Sequence, residues 1–185
     1  AFLWCFEPVI DRLHPQFRFN GTWCRSIRAS SRFATRVQRF QTSNVDILKR
    51  IFEETRSDNL FLHMSGRDYS GKDAYNTANL NRSFLQWQPK SKVTLEFRQH
   101  EGTLDGPRTV AWVQTVVGLL EFAADCDKFW MASFLMEHAE LEAAGGDVYE
   151  IEDLLNDIRL GKPADFYANY CMSREDIVDA EPGSG

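Results

Sequence analysis

Apolar residues fall at Phe2, Phe6, Val9, Ile10 and Leu13, a helical stripe that ends where His14-Pro15 forbids another turn. Phe17 to Trp23, with Asn20-Gly21 inside, reads as a turn. From Arg25 to Phe40 the spacing predicts one helix with two stripes. Arg25, Arg28, Arg32, Arg36 and Arg39 recur at intervals of three and four, and Phe33, Val37 and Phe40 form a separate apolar set. Asn44 is placed to cap a helix from Val45 to about Arg56, and residues 57–72 read as loop. Two stretches, about 74–80 and 91–100, alternate with a period of two and read as strands; the intervening NRSFLQWQPK is too long for a tight hairpin turn. Helices are predicted over about 107–124 and 128–142. Gly145-Gly146 then breaks the chain, Asp147 caps a helix to Leu160, Gly161 ends it, and Pro163 begins a short aromatic helix to about Cys171. The acidic, then Gly/Ser-rich tail from Asp179 to Gly185 is expected to be disordered. No internal repeat is visible.

The most informative stretch is KVTLEFRQHEGTLDGP, Lys92 to Pro107. Val93, Leu95 and Phe97 alternate with Thr94, Glu96, Arg98 and His100, so a strand sends the apolar set to one face and lines up a carboxylate, a guanidinium and an imidazole on the other. Such a row is either a site or a half-solvated strand with cross-strand ion pairs. Glu101-Gly102 interrupts the strand, and Thr103-Leu104-Asp105-Gly106-Pro107 begins a helix, with Asp105 or Gly106 as N-cap and Pro107 at the first helical position.

Composition narrows the class. With 43% hydrophobic and 13% aromatic residues, 185 residues suffice to bury one real core. No run of 18 apolar residues exists, which excludes a membrane-spanning helix in the sequence. Cys5, Cys24, Cys126 and Cys171 are scattered without a CxxC, so free thiols in a reducing, cytoplasmic compartment are expected rather than a zinc site. Charge is split: residues 1–108 carry net +6 and residues 109–185 net −12. The basic part therefore contains the Glu96–His100 row, which suits an anionic ligand such as a nucleotide phosphate or a carboxylate.

The string EFRQHEGTLD, with a Glu-x-Arg strand followed by a His-Glu-Gly-Thr-Leu-Asp turn, resembles the hallmark of the amidoligase family, whose fold is that of glutamine synthetase and glutamate–cysteine ligase. The opening WCFEPVIDRLHPQFR resembles the family's helix and Pro-Arg corner, DAYNTANL its penultimate strand, and WVQTVVGLLEFAA the long helix after the hallmark. The resemblance implies an α+β fold: a partial curved antiparallel β-sheet with helices packed on one face, followed by a C-terminal helical layer. It divides the chain into an amidoligase-like part over 1–125, a helical extension over 126–178 and the tail over 179–185. Family members also carry a Glu-x-Glu and a His-x-His strand upstream of the corner that supply metal ligands. Neither occurs here; His63 in FLHMSG has no second His two residues away and is expected in a loop or at a helix end. The expectation is therefore a C-terminal fragment, partnered by a missing N-terminal segment of the same protein.

The resemblance implies ATP- and Mg²⁺-dependent formation of an amide or peptide bond through an acyl phosphate, from a carboxylate and an amine. By match to the hallmark, Glu96 would be the metal ligand and Arg98 the group that holds carboxylate or phosphoryl oxygens, a task for which its planar fork suits it better than a lysine. His100 shares that face and either touches substrate or braces the turn. Asn79, in YNTANL, either lines the same pocket or makes a cross-strand amide bond, and Arg18 at the corner is a candidate phosphate or nucleotide contact with a surface ion pair as the alternative. Two rival functions remain: a non-catalytic binding or scaffolding module, and nucleic-acid binding through the Arg25–Arg39 stripe. The acidic balance of the whole chain weighs against the second.

Overall fold

In the computed structural model, residues 1–15, 18, 22–66, 72–77, 80, 94–146 and 149–178 are described, with side chains up to residue 170. The first helix, α1 (Phe2–Asp11), contains Pro8. A proline has no N–H, so the carbonyl of Trp4, four residues earlier, loses its helical donor. Arg28 replaces it: its Nε donates to the Trp4 oxygen at 2.8 Å, and its Nη2 donates to the Cys5 oxygen at 3.0 Å.

The arginine-rich stretch forms two helices, α2 (Ile27–Ser30) and α3 (Arg32–Phe40), instead of one. Ser31 separates them in extended backbone, its side chain accepting from the Ala34 N–H as the N-cap of α3. Serine competes for backbone donors in this way, so the uninterrupted Arg spacing concealed a break. Glu7 completes the corner. One of its carboxylate oxygens accepts from the Ile27 N–H at 2.8 Å, the other from the Ser26 hydroxyl at 2.6 Å and the Arg28 N–H at 3.0 Å.

Next come α4 (Asn44–Glu53) and α5 (Ser57–Met64). Ser43, not Asn44, caps α4, in a capping box with Asp46 whose carboxylate returns a bond to the Ser43 N–H. The segment expected as loop after residue 56 is helical as far as Met64, because Phe33 of α3 packs on His63 with ring centroids 5.0 Å apart. Tertiary contact here outweighs weak local propensity.

Two short strands, β1 (Tyr75–Asn76) and β2 (Glu96–Phe97), pair antiparallel with Tyr75 opposite Phe97 and Asn76 opposite Glu96. Within the described residues both are shorter than the alternation suggested; Val93, Asn79 and the connecting NRSFLQWQPK lie outside those residues. Extended backbone continues past the ladder, since the Arg98 N–H donates to the Ala74 oxygen and the Ala74 N–H to the Arg25 oxygen. The described chain is thus mostly helical with a small antiparallel sheet, a loose α+β architecture.

Three longer helices and one short helix follow: α6 (Gly106–Asp125), α7 (Lys128–Ala143), α8 (Ile151–Asp157) and α9 (Gly161–Val178). Asp105 caps α6 as expected, accepting from the Arg108 N–H at 3.1 Å. The helix predicted to start at Asp147 starts instead at Ile151, capped by Glu150 with Asp153, and ends before Leu160; Asp147 itself lies outside the described residues. The helix expected to begin at Pro163 begins at Gly161 and runs on to Val178, with Pro163 tolerated in the first turn.

Residues Ala1–Gly102 with Cys126–Val148 pack as one unit, and Thr103–Asp125 with Tyr149–Gly185 as another. In the first, α7 lies on α1 and α4: Phe6 meets Phe134 at 5.4 Å and His138 at 4.5 Å, and Arg28 grips Glu142 through two bonds of 2.6 and 2.9 Å. Its core is Trp4, Phe6, Ile10, Ile27, Phe33, Ile47 and Leu48, all fully buried. In the second, α6, α8 and α9 enclose Leu119, Leu154, Leu155 and Tyr167. Gly118 lets the side chain of Leu160 approach, for a Cβ there would stand 2.4 Å from a Leu160 methyl. No helix among the described residues is long and apolar enough to cross a membrane, and Cys5, Cys24 and Cys126 are free thiols.

Candidate ligand site on the Glu96–Arg98 strand

The strand period puts Glu96 and Arg98 on one face and Phe97 and Gln99 on the other. Arg98 Nη2 donates to Glu96 Oε2 at 2.9 Å, and the same oxygen accepts from Asn76 Nδ2 at 3.0 Å across the ladder. Opposite this row, Tyr75 and Phe97 meet edge to face at 5.3 Å. The side chains of Arg98 and Glu96 are 23% and 49% exposed, so the pair is open to a solute. Partial burial tends to raise the Glu96 carboxyl, but bonds from Arg98 and Asn76 and the charge of Arg98 outweigh it and hold the group below the ordinary glutamate value. Arg98 Nε, in contrast, is a buried donor with no acceptor.

Arg18 acts on this row from behind. Its Nε donates to the Gln99 oxygen at 3.1 Å, and its Nη2 donates to the oxygens of Arg98 and His100, the latter at 3.2 Å. One guanidinium thus holds three consecutive carbonyls that have left the β-ladder. His100 is half-buried, its ring edge-on to the buried His14 ring at 5.9 Å. The structure therefore brings Glu96, Arg98, His100 and Arg18 to one segment, the first two through side chains and Arg18 through the backbone. Asn79 lies outside the described residues, and the amide found on Glu96 is that of Asn76.

One oxygen ligand does not make a magnesium site, which takes about six. No group of three or more His, Cys, Asp or Glu residues able to hold a metal ion occurs among the described residues, and Glu96 is already bonded to a guanidinium.

The sequence reading missed a buried polar cluster on the other face of β2. Asp11 (9% exposed), Tyr75 and Gln99 meet there with Glu7 and Cys24 nearby. Asp11 Oδ1, the Tyr75 hydroxyl and both amide atoms of Gln99 lack a hydrogen-bond partner. The Gln99 amide stands close enough to both to favour their charged forms, though short of bonding geometry. Burial, reinforced by the Glu7 charge, pushes the Asp11 carboxyl up to about 7, and burial likewise raises the Cys24 thiol to about 11. The cluster can hold or release a proton near neutrality, directly beneath the peptide that joins Arg98 to His100. Its signal was in the sequence: Glu7, Asp11 and His14, at i, i+4 and i+7, break into the apolar stripe of α1.

The comparisons with known proteins bear on this strand and the helices around it. Residues 1–120, from α1 into α6, match the family model described as "Putative amidoligase enzyme". Neither the curated proteins nor the solved structures give a match. The matched stretch contains Arg18 and the whole Glu96–His100 row, and covers well over half of the chain. The chain belongs to the amidoligase family.

Proposed function

We propose that this chain serves an ATP-dependent carbon–nitrogen ligase, in which Arg98 holds the oxyanion of the substrate carboxylate or of the phosphoryl group being transferred. The observation that carries it is the state of Arg98: one donor held by Glu96, a second, Nε, buried and without an acceptor. A buried guanidinium N–H that lacks an acceptor costs free energy, and an incoming oxyanion would relieve that cost with a charge-assisted bond. Glu96 keeps the guanidinium oriented meanwhile, Asn76 keeps Glu96 in place, and Arg18 fixes the backbone beneath.

In the proposed reaction a carboxylate oxygen attacks the γ-phosphorus of ATP, ADP departs, and an amine then attacks the acyl carbon with loss of phosphate. The amine proton must go to a base, and His100, one strand period from Arg98, is the candidate. Mg²⁺ would neutralise the phosphate charge in such chemistry. Glu96 is the described residue that would contribute a ligand to it. An assay of ADP release with Mg-ATP across carboxylates and amines tests the proposal: release should need both co-substrates and fall at least a hundredfold in Arg98→Lys. A non-catalytic binding module would instead bind carboxylates in an Arg98-dependent way without ADP release.

A further inference from the structure

The break at Ser31 divides the arginine stripe by task. Arg25 pairs with Asp73 at 3.2 Å and Arg28 with Glu142, so both are held in the fold. The remaining three, Arg32, Arg36 and Arg39, recur on α3 and are joined by Arg50 of α4 around a cavity of about 620 Å³ that also takes in Thr35, Phe40, Thr42 and His63. A cavity of this size accommodates a small molecule. No carboxylate is among the described residues lining it.

Four guanidiniums around one cavity repel one another, and none of the described residues that line it is an acid. Asp46 of α4 is engaged in the capping box with Ser43, and Glu54, whose charge reaches His63 from outside the lining, accepts from the Arg56 N–H. None of the ion pairs among the described residues takes in Arg36, Arg39 or Arg50. Two further lining residues carry a buried polar atom without a hydrogen-bond partner, Thr42 at Oγ1 and His63 at Nδ1. Burial, with the charge of Arg36 adding to it, holds His63 below the ordinary histidine value, so its ring stays neutral among the arginines. Cationic forks, hydroxyls and a neutral imidazole together are a donor-rich wall, and a guanidinium fork matches phosphate oxygens in pairs.

We infer that this cavity between α3, α4 and α5 binds a small molecule carrying two or more phosphate groups, at a site separate from the Glu96–Arg98 strand. A single phosphate would leave most of the positive charge uncompensated and most of the volume unfilled. Phe40, 63% exposed beside Arg39, whose guanidinium lies 5.3 Å from its ring centre, gives the mouth an apolar surface on which an organic group can rest.

Calorimetry on the full chain with inorganic tripolyphosphate, pyrophosphate, orthophosphate and citrate tests this. Tripolyphosphate should bind saturably at one site, with pyrophosphate next and orthophosphate at least tenfold weaker. Arg39→Gln, an exposed change that should leave the unfolding midpoint unaltered, and Arg36→Gln should each weaken tripolyphosphate about tenfold, whereas Arg159→Gln, at an exposed arginine outside the lining, should leave it unchanged. Equal affinity for citrate would overturn the phosphate assignment, and indifference to Arg36→Gln and Arg39→Gln would overturn the site. A single-stranded RNA that binds tighter than tripolyphosphate, and loses binding in the same variants, would replace a small-molecule pocket with a nucleic-acid surface.

Discussion

Arg18 holds Arg98 by its backbone: the Nη2 of the first donates to the carbonyl oxygen of the second, while its Nε takes the oxygen of Gln99. Arg18, the candidate phosphate or nucleotide contact, thus directs these donors to the chain that presents Arg98. Replacing it with methionine keeps the length and removes the donors from three part-buried carbonyls. Stability should fall by about 2–4 kcal/mol in urea unfolding, and the Arg98 amide should exchange faster with solvent. Unchanged exchange at Arg98 would remove Arg18 from this positioning role.

At the site itself, Glu96→Gln preserves shape and the Asn76 contact but weakens the grip on Arg98. Because the pair is exposed, stability should change by less than about 1 kcal/mol. Carboxylate binding should change clearly, and in a direction that tells whether Glu96 competes with the ligand or orients Arg98. Arg98→Lys should abolish binding in either case, because an ammonium cannot reproduce a planar fork.

Asp11 makes stability depend on pH in a definite direction. Its folded-state value, about 7, lies above the ordinary 3.8, so the folded protein holds a proton that the unfolded chain releases. The advantage is fully present below about pH 4 and is lost as pH rises through about 7, with a slope of at most about 1.4 kcal/mol per pH unit. Glu7, also raised by burial, acts in the same sense. Asp11→Asn should flatten the dependence between pH 4 and 7; an identical profile in the variant would refute the assignment.

Arg28 combines the acceptor freed by Pro8 with a two-pronged ion pair to Glu142. Arg28→Lys offers one point charge to both tasks and should cost about 2–4 kcal/mol. Glu142→Gln alone should cost less, because the bonds to Trp4 and Cys5 remain, and a double-mutant cycle of thermal unfolding would separate the two contributions.

Gly118→Ala sets two effects against each other. Alanine favours a helix interior by about 1 kcal/mol over glycine, but its Cβ would stand within 2.4 Å of Leu160. Overpacking costs about 1–3 kcal/mol and should win. Leu160→Ala in the same chain should recover part of the loss; additive losses in the double variant would show that the two positions do not meet.

Much of the helical framework was legible in local pattern. The apolar stripe of α1, the capped start of α6 at Asp105 and the span of α7 all follow from spacing and end residues, which act within one or two turns. The placement of Glu96 and Arg98 on one face followed from strand period alone, and the hallmark string carried the family. Where local signals competed, the sequence misled. Five arginines at helical spacing hid the cap at Ser31, and α5 lacked a stripe strong enough to announce itself before Phe33 packed on it.

What the sequence determined by itself was therefore the set of short-range choices: which residues can cap, turn, alternate or line a helix face. The tertiary structure decided partnership, because a partner tens of residues away leaves no periodic trace. It assigned Arg28 to the carbonyl left by Pro8, turned Arg18 onto three carbonyls, and lifted Asp11 toward neutrality by burial beneath Gln99. It also gathered Arg50 with the arginines of α3 around one cavity. Each of these depends on distance and exclusion of water, which are properties of the packed chain and not of any segment within it.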